Sequence, residues 1–367
     1  MKKIITFAAA AAMASPLAIA TAAAGDLDIY GRAHLSVDHL DDRDDSSQFL
    51  SSNGSRLGIR GSEYLGMGLT GIFQYETQVN VTSGDGEDAE ENTPGLFTTG
   101  RTSYLGLQGD FGTVLGGRLD DPLKTAMDAT QLFGDRLGDA GNLAVTPANN
   151  TRHNNVLAYV TPEFEGFTGT FVYGPQSGQD KGDRFVIEGR YDNQIGEGNL
   201  FASLGYLQAN EGVVDDVNLD DKHKVWQAVA AYSVADTWRV MAMYQDYGQS
   251  DLAAFEDDKM YGAGVGFHVA PQVELKGHVM HYDADQSDAD TTIYAAGFDY
   301  YMTDRTTLYG VYAIANNDDN AAQRMDGYAR GTGAAPADAA DRAGTEGTAV
   351  APGDNQWGLS VGIIHNF

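Results

Sequence analysis

Residues Trp357–Phe367 read WGLSVGIIHNF. Large residues occupy alternate positions: Trp357, Leu359, Val361, Ile363, His365 and Phe367. Small or polar residues separate them, apart from Ile364. A period of two marks a β-strand with one apolar face. Chain ends ordinarily fray unless something ties them down. An amphipathic strand ending in an aromatic ring therefore calls for a partner. The matching pattern lies at the other end, in GDLDIYGRAHLSVDHL (25–40), where Leu27, Ile29, Gly31, Ala33, Leu35 and Val37 alternate with Asp28, Tyr30, Arg32, His34, Ser36 and Asp38.

That run is longer than the ~5–6 residues of an ordinary strand. A tilted strand needs ~9–11 residues to cross a bilayer. Similar segments are expected at 26–38, 53–63, 69–81, 98–108, 112–118, 153–160, 168–174, 183–191, 199–209, 223–234, 237–247, 259–269, 272–282, 291–301, 306–316 and 356–367, sixteen in all. Short connections (64–68, 109–111, 161–167, 192–198, 235–236, 270–271, 302–305) alternate with long ones (39–52, 82–97, 119–152, 175–182, 210–222, 248–258, 283–290, 317–355). The two kinds then lie at opposite ends of an antiparallel meander. An even strand number with this asymmetry predicts a sixteen-stranded antiparallel transmembrane β-barrel. Closure satisfies every backbone hydrogen bond in lipid, which an open sheet could not do. Trp226, Ala228, Ala230, Tyr232 and Val234 share one face, as do Tyr294, Ala296, Phe298 and Tyr300. Aromatics flanking small apolar residues suit interfacial girdles. Gln227, Ser233 and Asp299 take the opposite face, so the lumen is expected to be wet.

Composition narrows the function. Lys and Arg total 23 against 52 Asp and Glu, for a net charge of −29. That balance argues against nucleic-acid binding. The absence of cysteine removes disulfides, zinc–thiolate sites and cysteine nucleophiles. Residues 1–24 have a basic start, an apolar middle and an Ala22-x-Ala24 end, which predicts a secretory signal peptide. No other apolar run approaches the ~18–20 residues of a membrane helix.

Several motifs lead nowhere. GAGVG (262–266) sits inside a strand with no helix behind it. DADQSDAD (283–290) has Asp288 where a calcium loop needs glycine. His278 and His281 point to opposite sides of one strand. No cofactor or metal site is expected, and neither H-E-x-x-H nor G-x-S-x-G occurs.

DIYGRAHLSVD, NGSRLGIRGSEYLGMGLTGIFQYET, GRTSYLGLQGDFGTVLGGR, HNNVLAYVTPEFEGF and VGIIHNF resemble segments of the general diffusion porins of Gram-negative bacteria. The resemblance covers the signal peptide, the first third and both barrel ends. It implies a homotrimer in the outer membrane, among lipids and lipopolysaccharide, that passes small hydrophilic solutes and ions without catalysis. It also implies that the third long loop, 119–152, folds into the lumen and narrows it. That loop carries Asp120, Asp121, Asp128, Asp135 and Asp139. By the same resemblance the facing basic wall comprises Arg32, Arg56, Arg101 and Arg152. Arg60 shares the face of Arg56, and Arg118 stands just before the loop. A lipid-facing arginine near the midplane would cost ~2–4 kcal/mol, so these should point inward. Charges gathered at a constriction select ions. The acidic loops and net charge predict a cation preference. The alternative is a substrate-specific channel for sugars, phosphate or an organic acid. Phe367 is expected to be read by the outer-membrane assembly machinery. The acids of 84–91 and 317–355 are expected to form solvated surface loops, with divalent bridging to lipopolysaccharide as the sharper reading.

Overall fold

A computed structural model describes residues 26–41, 46–82, 97–143, 151–175, 183–210, 212–214, 217–219, 222–248, 257–325 and 350–367. The expected signal peptide, the acidic run 84–91 and residues 326–349 of the last loop lie outside the described residues.

In chain order the strands are β1 (Asp26–Asp41), β2 (Ser46–Ser52), β3 (Arg56–Gly66), β4 (Leu69–Val79), β5 (Phe97–Gly109), β6 (Gly112–Asp120), β7 (Arg152–Val160), β8 (Phe167–Gly174), β9 (Arg184–Ile195), β10 (Gly198–Ala209), β11 (Gly212–Val214), β12 (Val217–Leu219), β13 (His223–Val234), β14 (Trp238–Asp246), β15 (Lys259–Ala270), β16 (Val273–Asp283), β17 (Thr291–Thr303), β18 (Thr306–Asn317) and β19 (Gln356–Asn366). β11 and β12 form a separate small hairpin. β2 and β3 both pair with β1 and act as one interrupted strand, so the remaining strands make a closed, sixteen-stranded antiparallel barrel. β1 and β19 form the seam in a register of Ala33 opposite His365 and Val37 opposite Val361. Gly31 and Phe367 exchange both backbone hydrogen bonds, at 3.0 and 3.1 Å. The final strand is held because it abolishes two edges at once.

The expected faces hold. Leu359 and Val361 are 49% and 58% exposed, whereas Ser360 between them is 1% exposed. Trp226, Tyr244, Tyr261 and Tyr294 face outward near the long-loop ends, and Phe167, Phe267, Tyr300 and Phe367 face outward near the short-turn end. No helix among the described residues is long and apolar enough to cross a membrane.

Two boundaries differ from expectation. Most of the expected loop 39–52 is strand, with Leu35–Asp41 paired to Ser46–Ser52. The polar run SSQFLSS hides an alternation that only its partner supplies. The expected connection 192–198 shrinks to a turn at Gly196–Glu197, because β9 continues to Ile195.

Between β6 and β7 the chain forms α1 (Pro122–Thr130) and a 3₁₀ turn (Ala140–Asn142). Asp121 caps α1, accepting from the Leu123 backbone N–H at 2.6 Å, and Pro122 opens the helix. Proline is tolerated there because that N–H has no helical partner. Leu123, Ala126 and Met127 fall on one face and are buried. The core lies inside the barrel, where these residues and Leu132, Phe133, Leu137 and Leu143 join the inward side chains of the wall.

Candidate pore constriction

Segment 121–143 meets the inward faces of several strands. The Leu123 carbonyl accepts from Gln227 Nε2 of β13 at 2.8 Å. The Leu132 carbonyl accepts from Lys276 Nζ of β16 at 2.8 Å. Phe133 meets His278 edge-on, with ring centroids 4.9 Å apart. Arg136 forms a two-nitrogen contact with Asp299 of β17 at 2.5 and 3.3 Å, and its guanidinium lies 4.3 Å over the Tyr309 ring. Lys276 reaches the same carboxylate at 2.7 Å. Gly138 has φ +74° and presses against Ala295, where a Cβ would come within 2.6 Å of the alanine methyl. Its conformation and the close approach both require glycine.

Asp135 carries the polar tip. Its backbone is left-handed (φ 58°), and its carboxylate accepts from Arg32 Nη1 at 3.1 Å. Arg32 also donates through Nε to Asn366 at 3.1 Å, tying the tip to the barrel seam. Gly54, in the interruption between β2 and β3, has φ +60° and lies directly under the Asp135 carboxylate. Any side chain there would displace it. Arg56 stands opposite Arg32 in the β1–β3 register. Arg101 bonds Glu76, which also accepts from Tyr30 Oη at 2.9 Å. Burial raises the Asp135 carboxyl, but the guanidinium groups of Arg32, Arg56 and Arg101 outweigh it and hold the group below the usual carboxylate range. Asp139 behaves oppositely. Burial, then the nearby Asp135 and Asp128, push its carboxyl up to about 7, although it accepts from the backbone N–H groups of Asp135 and Gly141.

The other candidate residues divide into groups. Asp120 pairs with Arg152 at 3.0 Å and accepts from Thr102. Asp121 is spent on the helix cap and on His153 Nε2 at 2.6 Å. Asp128 pairs with Lys124 one helical turn earlier and accepts from Gln131. Arg60 pairs with Asp28 at 2.7 Å on an exposed stretch of strand. Arg118 donates to the carbonyls of Gly100 and Arg152 and to the Asn154 side chain. The structure therefore gathers Arg32, Arg56 and Arg101 around Asp135. Arg60 and Arg118 stand apart from that group.

Sequence reasoning missed Glu76, Arg136 and Lys276. Glu76 and Lys276 are charges at inward strand positions, and such a charge needs a partner; Arg136 lies outside the strands, where alternation places nothing. That parity was legible. Which partner each one finds was not.

A closed barrel with apolar outer faces and a charged interior crossed by a folded segment is a membrane channel. The Gram-negative porin family model matches residues 7–320, and the chain belongs to that family. It is 28% identical over 383 residues to outer membrane porin protein 32 of Delftia acidovorans, covering 100% of this chain and 99% of that one. Among solved structures, the anion-selective porin from Comamonas acidovorans superposes with a TM-score of 0.71 at 24% identity, over 94% of this chain and 100% of that one. The trimer form of OmpT from Vibrio cholerae gives 0.65 at 16% identity, over 94% and 100%. The chain is thus an outer-membrane porin, a passive diffusion channel.

Proposed function

We propose that segment 121–143 forms the narrowest part of a water-filled pore for small hydrophilic solutes and ions. The observation that carries this is the Asp135 carboxylate held among Arg32, Arg56 and Arg101. Opposed charges across a narrow lumen set up a transverse field, which favours polar, orientable solutes over bulky apolar ones.

The cation preference expected from the net charge does not follow from this cluster. Three guanidinium groups face two carboxylates, Asp135 and Glu76, and Arg56 makes no ion pair among the described residues. Charges beyond about 8–10 Å are largely screened at physiological salt. We infer that the constriction itself favours anions while the acidic residues elsewhere contribute less. Planar-bilayer recordings test both readings. Stepwise channels should appear, and reversal potentials in a salt gradient should take the anion-favouring sign. No channels would sink the pore, and a cation-favouring sign would sink only the selectivity.

Residues 1–24 direct export, and three copies assemble in the membrane, as the OmpT structure described as a trimer does. The assembly machinery reads the segment ending at Phe367.

A further inference from the structure

Beneath α1, toward the short turns, lies a cavity of about 490 Å³ in the inner wall of β5–β9. Its lining has an order set by register. Gln108, Thr113, Val160, Thr170 and Glu188 stand side by side across five strands. Two residues further along each strand, about 7 Å away, runs a second, buried row, Gly106, Leu115, Ala158, Val172 and Val186, of which Leu115, Ala158 and Val172 border the cavity. A largely polar row thus borders an apolar one. Pro122 and Thr125 of α1 also line the cavity, and Arg190 joins wall to helix by donating to Thr125 Oγ1 at 3.3 Å.

Two of the carboxylates inside are already matched. Glu188 accepts from Arg190 at 2.8 and 3.0 Å and from Ser203 at 2.7 Å. Asp120 is held by Arg152. Exposed Glu163 and Asp192 also line the cavity; each accepts a hydrogen bond from a neutral amide, and neither has a cationic partner among the described residues. The other uncommitted groups are neutral. The side chains of Tyr104, Gln108, Thr113, Thr168 and Thr170 make no hydrogen bond among the described residues. Ligand sites typically span about 300–1,000 Å³, with apolar walls and a few convergent polar groups.

We infer that this cavity is a binding subsite for a small neutral polyhydroxylated solute, a sugar of one or two rings. The hydroxyls of Tyr104, Thr168 and Thr170 and the Gln108 amide would exchange hydrogen bonds with the sugar's hydroxyls, and the Tyr104 ring would take the C–H face of the sugar. The carboxylates of Glu163 and Asp192 would accept from further sugar hydroxyls. The inference rests on the pore reading above and deepens it by naming a solute class.

The test uses the full barrel in planar bilayers, with D-glucose and maltose as probes at fixed salt. Current is read relative to each protein's own sugar-free conductance. The expected result is a saturable fall in current with added binding noise. Thr168→Val combined with Thr170→Val should weaken the apparent affinity about tenfold, the scale of two lost hydrogen bonds. Tyr104→Phe, which keeps the ring, should weaken it by a smaller factor. A fall that tracks only bulk viscosity, equal in all three proteins, overturns the subsite and leaves the pore intact. Saturable block by tetramethylammonium instead of sugar overturns it in favour of a cation site. Absence of any conductance overturns the pore reading, and the subsite with it.

Discussion

Arg136 of the inward segment and Asp299 of β17 form a buried, two-nitrogen ion pair, and Lys276 completes the cluster from β16. The contact fastens the segment to the wall beside Phe133, over which the Lys276 ammonium sits at 5.0 Å. Removing one partner of a buried pair costs about 3–5 kcal/mol, because the other charge is left uncompensated. Asp299→Asn leaves two cations without their carboxylate. The segment should detach for part of the time. Single-channel conductance should rise with more open-state noise, and amides of 121–143 should exchange faster. Wild-type conductance and exchange together would show that apolar packing alone holds the segment.

Selectivity should move in opposite directions at the tip. Arg56 lacks an ion-pair partner among the described residues, so Arg56→Gln removes a net positive charge and should shift the reversal potential toward cations. Asp135→Asn should shift it toward anions and release Arg32, whose other bond is to Asn366. Two charges at 4 Å interact by about 4 kcal/mol at an effective dielectric of 20. Changes of several millivolts are therefore expected in a tenfold salt gradient. Shifts of the same sign in both variants would place these residues away from the ion path.

The barrel was legible because lipid imposes a period of two over long segments. Leu27, Ile29 and Val37 could face only outward, so Arg32 between such positions had to face in. The same rule failed at Ser46–Ser52, where both faces are mostly polar and pairing with β1 decides the structure. Helix α1 was legible too, through Asp121 as cap, Pro122 behind it and apolar residues at Leu123, Ala126 and Met127, yet its place in a long polar connection masked it. Charge partners are another matter. Arg101 meets Glu76 only because the β4–β5 register slips between Tyr75 and Thr77. A slip of that kind leaves no mark in hydrophobic periodicity.

Asp139 makes docking of the segment pH-dependent. Its carboxyl sits at about 7 in the folded protein, above the ~3.9 of an unperturbed aspartate. Between those values the folded state binds more protons than the undocked state, so docking weakens as pH rises from about 4 to 7 and stays weaker above. Conductance noise should therefore be lower at pH 5 than at pH 8. Asp139→Asn cannot ionise and keeps an acceptor for only one of the Asp135 and Gly141 N–H groups, so its noise should be flat across that range, at a level above that of the wild type at pH 5. A wild-type profile equally flat would mean that Asp139 stays charged throughout.

Phe367 closes the ring of strands at one residue, Gly31. The backbones exchange two hydrogen bonds, and the phenyl ring covers the glycine so closely that an added Cβ would lie 2.4 Å from it and 2.7 Å from the Arg56 carbonyl. Deleting Phe367 opens both bonds at the edge of the seam, where unpaired backbone faces lipid and interface. Gly31→Ala keeps Phe367 but forces its ring away. Deletion touches none of Asp135, Arg56 and Arg101, and Gly31→Ala presses on the backbone carbonyl of Arg56 but not on its side chain. Both should lower the yield of heat-resistant folded barrel in membranes, deletion more severely because it also removes the residue proposed to guide assembly. The pores that do form should keep wild-type conductance and reversal potential. If yield is unaffected by deletion, Phe367 contributes neither to closure nor to assembly. If alanine at position 31 is as damaging as deletion, steric closure of the seam accounts for the effect without any role for recognition.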